Sequence, residues 1–354
     1  MVVFGAGASY DSVPHRPLTY LNEFLRRRPA GRSEFRLPLA NELFADRLRF
    51  SVWIQRFPRC NAVIPYLRQT PEGGSVESEL ERLRTEAQTY PNRIKQLAAV
   101  QFYLQSMLWE CETLWNQEDA KGVTNYKTLL DQIESWRIES KEKVCLVTFN
   151  YDTMLEDALP VVGIKIGDLP DYIANNDYKI IKLHGSINWA HRVNAEIKDI
   201  GNRTAMDIAN ELIERRAEFS VLQDFLTVKS PLGDPEKRLP SELPWFPALA
   251  IPVENKQEYE CPQAHLEALR ICIPEMTKIL LIGWRATERV FLQLLKDSLR
   301  GRVQMMAVSG SEASSKEAMG RLVQEGIQGT LHMTESGFSD FVIRREVDRF
   351  LRMT

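Results

Sequence analysis

The chain has no Cys-x-x-Cys pair: its five cysteines, Cys60, Cys111, Cys145, Cys261 and Cys272, are scattered and odd in number. A zinc ribbon needs two such close pairs to set four thiolates around one tetrahedral ion, so that kind of structural zinc is excluded, and no disulfide framework is expected. Reduced, mostly buried thiols are the plain reading. No run of 18 or more consecutive apolar residues occurs, and the N-terminus enters a strand and glycine turn without the basic and apolar regions of a secretion signal. No membrane association and a cytoplasmic location are therefore expected. An excess of positive charge is missing too. Lys+Arg number 45 against 48 Asp+Glu, a net charge of -3, so the overall electrostatics give no reason to expect nucleic acid as a partner. Two nucleotide signatures are also absent. There is no G-x-x-x-x-G-K-[ST], and the glycine turn lacks a third glycine with an acidic residue about 20 positions later. A P-loop ATPase and an ordinary dehydrogenase both fit poorly.

What is present is a repeated coincidence. Five short apolar runs each end on a residue suited to chemistry or to close backbone approach. Val2-Val3-Phe4 runs into Gly5-Ala6-Gly7-Ala8-Ser9, Val144-Cys145-Leu146-Val147 into Thr148-Phe149-Asn150-Tyr151-Asp152, and Ile180-Ile181-Lys182-Leu183 into His184-Gly185-Ser186. Lys278-Ile279-Leu280-Leu281-Ile282 stops at Gly283, and Gln304-Met305-Met306-Ala307-Val308 stops at Ser309. In an open parallel sheet the ligand sits outside the carboxyl ends of the strands, so these residues are expected to converge on one site.

The 354 residues, 44% hydrophobic, suffice for a large core and exceed what one simple domain usually needs. Between the first strand and Val144 the pattern is mainly helical. Helices are expected over 18–28, stopped by Pro29, over 38–57, over 76–85 after the breaker Pro71-Glu72-Gly73-Gly74, and along 94–115. The last has apolar residues on one face, open to either core or subunit contact. Beyond Val144 strands alternate with helices: helix from 154, strand 179–183, helix 202–225, a polar loop 230–240, strand 278–282, helix 288–299, strand 304–308, helix 314–325, strand 330–333 and helix 338–351. Alternation of this kind argues for βαβ units. The expected fold is α/β, a Rossmann-like parallel sheet in a three-layer αβα sandwich with a large helical insertion. Segments 1–14, 141–195 and 245–354 would form the Rossmann-like domain, 15–140 the helical insertion and 196–244 a second helical and loop insertion.

Glycines straight after a strand let backbone N–H groups approach a pyrophosphate with no Cβ in the way. Alone that signal is weak. Together, however, Gly5-Ala6-Gly7-Ala8-Ser9, Thr148-Phe149-Asn150-Tyr151-Asp152 and Lys182-Leu183-His184-Gly185-Ser186-Ile187-Asn188-Trp189 resemble the sirtuin-like family, in particular its NAD-consuming prokaryotic branch. The resemblance runs from Gly5 to about Ser309 and includes Pro38-Leu39-Ala40-Asn41-Glu42-Leu43, residues 247–256 and Gly283-Trp284. It implies NAD+ as substrate, with Asn150 and His184 in the catalytic positions and no metal. It also implies a cofactor-binding set of Gly5, Ala6, Gly7, Ser9, Asp152, Gly283 and Ser309, with Asp152 at the nicotinamide end. The deacylases of the family carry a Cys-x-x-Cys zinc ribbon and a Gln before the Asn. This chain has neither, and Phe149 stands at the Gln position.

Read from the residues alone, the chemistry agrees. Cleaving nicotinamide from ribose builds an oxocarbenium-like centre, as in glycoside hydrolysis. It calls for a positioned water and polar groups on the ribose, which an Asn supplies as donor and acceptor and a His can deprotonate near neutral pH. Asp152 could accept from the carboxamide. The bland readings stand beside these: Asn150 and Asp152 as turn or N-cap residues, and His184 as a satisfied, partly buried histidine. The cluster Arg26, Arg27, Arg28, Arg32 and Arg36 reads chiefly as a solvated helix C-terminus. The resemblance implies an NAD+ glycohydrolase yielding nicotinamide and ADP-ribose, acting in bacterial anti-phage defence by NAD+ depletion. It further implies a homo-oligomer, or control by a separate activating partner such as an ATPase or Argonaute-type protein. The alternatives are a non-catalytic module binding NAD or ADP-ribose and a zinc-free NAD-dependent deacylase.

Overall fold

The computed structural model describes residues 1–13, 34–69, 75–199, 202–229, 244–253, 258–334 and 336–353. The strands among the described residues are β1 (Val2–Phe4), β2 (Val144–Thr148), β3 (Tyr178–Lys182), β4 (Gly185–Asn194), β5 (Ser220–Thr227), β6 (Trp245–Leu249), β7 (Lys278–Ile282), β8 (Val303–Val308) and β9 (Gly329–Met333), of which β1, β2, β3, β7 and β8 are the five short apolar runs. Six of them form one sheet in the order β3-β2-β1-β7-β8-β9. Every pairing in it is parallel. Sequence order therefore runs outward in opposite directions from β1 and β7, which makes that pair the switch point where an open α/β sheet forms its crevice.

Alternation along the strands builds two cores. Val2, Phe4, Leu146, Ile180, Leu280, Ile282 and Met306 face one, together with Leu104, Leu129, Phe338 and Val347 from the helices. Val3, Val147, Ile181, Ile279, Leu281 and Met305 face the other, with Leu269, Phe291, Leu295 and Leu322. A strand with both faces covered needs no polar side, which is why these runs read as nearly unbroken apolar stretches. The result is a three-layer αβα sandwich carrying a large helical insertion. Among the described residues no helix is long and apolar enough to cross a membrane.

Several elements differ from expectation. The long helix, Pro91–Trp115, is buried without interruption from Leu97 to Val100 and from Phe102 to Leu108, so the core role open to it holds, but burial goes round the helix instead of along one face. Residues 38–57 hold a single 3-10 turn, Ala40–Glu42, and a helix only from Leu48 to Arg56. The terminal helix is two, Phe338–Ile343 and Glu346–Leu351, because Arg345 adopts a left-handed φ of 52°. The helix expected over 202–225 ends at Glu214, and the chain continues as β5. There β5-β4-β6 form an antiparallel sheet that the sequence did not announce, joining strands from both sides of the boundaries expected at 195 and 245. The helix over 18–28, the breaker at 71–74, the loop at 230–240 and Arg26, Arg27, Arg28 and Arg32 lie outside the described residues.

Candidate functional site

Parallel register carries Gly5, Phe149, His184, Gly283 and Ser309 to the same edge of the main sheet, since each directly follows, or stands two residues beyond, a strand end in that sheet. At the switch point two backbones touch. Gly5 N–H donates to Ile282 O at 3.0 Å and Gly7 N–H to Gly283 O at 3.1 Å. A Cβ on Gly283, whose φ is 60°, would stand 2.2 Å from Ala8 N, and one on Gly5 would stand 2.6 Å from Gly283 O. Only glycine permits this approach. The glycines thus have a packing role that exists without any ligand. Ala6 opens the short helix Ala6–Tyr10 beside them.

Asn150 reaches this turn. Its Nδ2 donates to Gly5 O at 2.9 Å, Ser9 Oγ at 2.9 Å and Tyr126 OH at 3.2 Å, and Ser9 Oγ and Tyr126 OH are themselves 2.9 Å apart. An amide nitrogen carries two protons, so the three acceptors share them. Its backbone N–H is taken by Thr148 Oγ1 at 3.0 Å. Asn150 is 6% exposed and does not cap the following helix Met154–Ala158, whose N-cap is Thr153.

Asp152 is 7% exposed, and its Oδ1 accepts Met154 N–H at 3.2 Å, so the turn-residue reading describes part of its work. Burial raises its pKa above the ordinary carboxylate value, against the pull of Lys182, a hydrogen bond from Ser9 and the Met154 bond. Lys182, fully buried, donates to Asp152 O and lies 2.9 Å from Glu156 Oε1, which also accepts from Tyr172 OH at 3.0 Å. From the insertion, Glu112 accepts Thr153 N–H and Oγ1–H, and burial together with the Asp152 charge pushes its pKa up.

His184 stands at the junction of the two sheets. Its carbonyl accepts Ala250 N–H at 3.0 Å, and it bridges to Glu260. Gly185 follows with φ 78°, and a Cβ there would sit 2.0 Å from Ala248 O, so glycine is what lets the chain turn from β3 into β4. The imidazole meets Phe149 edge-on at 4.9 Å, and Phe149 stacks on Trp284 at 5.2 Å and 9°. Tyr151 OH donates to Ala250 O at 2.7 Å, which places the start of the 247–256 segment beside the site. Ser309 is at the same edge, but its hydroxyl is engaged with Ser311 O and Ser315 Oγ at the start of the helix Glu312–Gln324. A separate cleft of about 530 Å³ is lined by Asn41, Arg68 and Glu77 of the insertion and by Arg285, and none of the site residues named above lines it.

The structure thus brings Gly5, Gly7, Ser9, Asn150 and Gly283 together, with Asp152 adjoining through Ser9. His184 joins them across Phe149, and Ser309 stands beyond β7. Sequence reasoning missed Tyr126, Glu112, Lys182 and Glu156. Lys182 carried a signal, a lysine inside an otherwise apolar strand. Glu112 and Tyr126 lie on helices far away in sequence, with no motif around them.

No curated protein matches the chain. A solved structure titled as a crystal structure of a Sir2 homolog–NAD complex is similar at 12% identity, over 99% of this chain and 87% of that one, with a TM-score of 0.41. Residues 144–232 match the family model described as a SIR2-like domain. The chain is therefore similar to the sirtuin-like family over the stretch that holds Asn150, Asp152, Lys182 and His184.

Proposed function

We propose that this chain is an NAD+ glycohydrolase, adding water across the bond between nicotinamide and ribose to give nicotinamide, ADP-ribose and a proton. The observation that carries the reading is the direct bonding of Asn150 to the glycine turn, through Gly5 O and Ser9 Oγ, with the His184 imidazole beside the same strand ends. The glycine turn would lie against the pyrophosphate, its Gly5 and Gly7 N–H groups already held by Ile282 O and Gly283 O, with Ala6, Gly7 and Ser9 lining it and Gly283 and Ser309 toward the ribose and adenine. Asn150, its nitrogen held by the protein, presents the rest of its amide to the ribose. His184 takes a proton from the attacking water. Asp152 accepts from the nicotinamide carboxamide. A dry, prearranged polar site stabilises the cationic sugar more than bulk water does. In this reading the enzyme acts in the cytoplasm as an effector of anti-phage defence by NAD+ depletion, and it is controlled by self-association or a separate activating protein.

A second reading draws on the same bond. The Asn150 nitrogen is fully engaged by protein acceptors, which also suits a module that binds NAD or ADP-ribose without turnover. Chromatographic detection of nicotinamide release, alongside calorimetric binding of NAD+, separates them. For the glycohydrolase, Asn150→Ala and His184→Ala each lower turnover by about 10² to 10⁴ while the folded spectrum is kept. Turnover at the wild-type rate in either variant refutes the assignment, and NAD+ binding with no release from the wild type, with and without candidate partners, favours the module.

A further inference from the structure

Glu112 sits at the start of the last turn of the helix Pro91–Trp115 and is 4% exposed. Its Oε2 accepts Thr153 N–H at 3.0 Å, and its Oε1 accepts the Thr153 hydroxyl at 2.8 Å and the same N–H at 3.2 Å. Thr153 ends the segment that begins at Asn150 and is the N-cap of the next helix, with no side-chain capping bond of its own. One carboxylate from the insertion therefore closes that segment. The other end is held by Asn150 itself, through Tyr126 of the following helix, Asn125–Ser140.

Stability alone does not call for a carboxylate here. An ionised group costs several kcal/mol to take out of water, and burial first, then the neighbouring charges of Asp152 and Asp157, push the Glu112 pKa up. An apolar side chain of similar size would fill the space at less cost, whereas Glu112 takes the Thr153 amide and hydroxyl chiefly on separate oxygens, Oε2 and Oε1. Groups kept against stability cluster at functional sites.

We propose that Glu112 is a positioning residue of the site, acting through Thr153 to hold Asn150 and Asp152 at the strand-end crevice. The helical insertion then sets the geometry of the reacting segment. The catalytic part of this inference rests on the glycohydrolase reading; the mechanical part does not. A displacement of about 1 Å at such a segment costs about 10²-fold in rate.

The test uses the full chain with Glu112→Ala, Glu112→Gln and Thr153→Val, read by amide hydrogen exchange over 149–155, thermal melting, and kcat and KM for NAD+. In Glu112→Ala the exchange of that peptide rises about tenfold or more, as loss of its acceptor for the Thr153 N–H requires. Its kcat falls about 10²-fold while KM changes less than about threefold. Glu112→Gln, which keeps the shape and one acceptor, recovers part of both and melts no lower than the wild type. Should Glu112→Ala not fold, Glu112→Gln and Thr153→Val carry the test with smaller changes in the same directions. Unchanged exchange over 149–155 in the folded variants overturns the proposal, as does a kcat that follows the melting temperature and nothing else. If the wild type hydrolyses no NAD+, the glycohydrolase reading fails and the exchange measurement still decides the grip.

Discussion

Tyr126 OH stands where Ser9 Oγ and Asn150 Nδ2 meet, and its ring packs on Phe4 and Phe338. In Tyr126→Phe the ring contacts survive and one buried hydroxyl is lost, so urea unfolding should show a loss of roughly 1–2 kcal/mol with an unchanged slope. Gly283 offers a sharper contrast. Gly283→Ala must place a Cβ 2.2 Å from backbone at a φ of 60°, whereas a Cβ on Gly310 would meet nothing within 4 Å. Gly283→Ala is expected to lose about 3 kcal/mol or more, and Gly310→Ala to stay within about 1 kcal/mol of the wild type, by the same unfolding measurement. Strand-end position made Gly5, Asn150, His184 and Gly283 legible in the sequence, because a strand end fixes which sheet edge a residue occupies. Glu112 and Tyr126 were not legible. Their roles come from a helix packing against the sheet, and a lone Glu or Tyr on a helix reads as surface or core equally well.

Elements show the same division. The strands of the parallel sheet could be read because both faces are covered and the apolar run is continuous. The antiparallel sheet could not. β4 is buried on both faces from Gly185 to Ile187 and from Trp189 to His191, which hides the period of two, while Val221, Leu222, Phe225 and Leu226 of β5 fall at helical spacing. That sheet is tied to the site by His191, whose Nδ1 meets Asp224 O at 2.8 Å and whose Nε2 meets Glu260 Oε1 at 2.5 Å. Burial works against the charged imidazole, but the bonds and charge of Glu260 and Asp224 prevail and raise its pKa above 6.5. A raised histidine pKa contributes stability that is whole below the ordinary value and is lost as pH rises through the folded value. Wild-type melting temperature should therefore fall more between pH 6 and pH 8, about the ordinary range of histidine, than that of Glu260→Gln. Equal slopes in the two proteins would remove the pair from the stability of this sheet.

Across the whole molecule, three bodies of structure converge on one edge: the parallel sheet supplies the strand ends, the antiparallel sheet begins at Gly185 beside His184, and the insertion reaches in with Glu112 and Tyr126. A ligand gripping that edge touches segments distant in sequence, so it must resist unfolding of them all together. Binding to the folded state alone adds RT ln(1 + [L]/Kd), about 2.7 kcal/mol at a hundredfold excess over Kd. Unfolding entropy per residue is about 2.1 cal/mol/K, so for 354 residues that stabilisation raises the melting temperature by roughly 3–4 °C. His184→Ala is the protein to use, since turnover would otherwise deplete the ligand during the scan. NAD+ should shift its melting by that amount and leave the double variant His184→Ala/Gly283→Ala, whose glycine turn is displaced, with little or no shift. A shift of the same size in both variants would mean that NAD+ is held somewhere other than the turn formed by Gly5, Gly7 and Gly283.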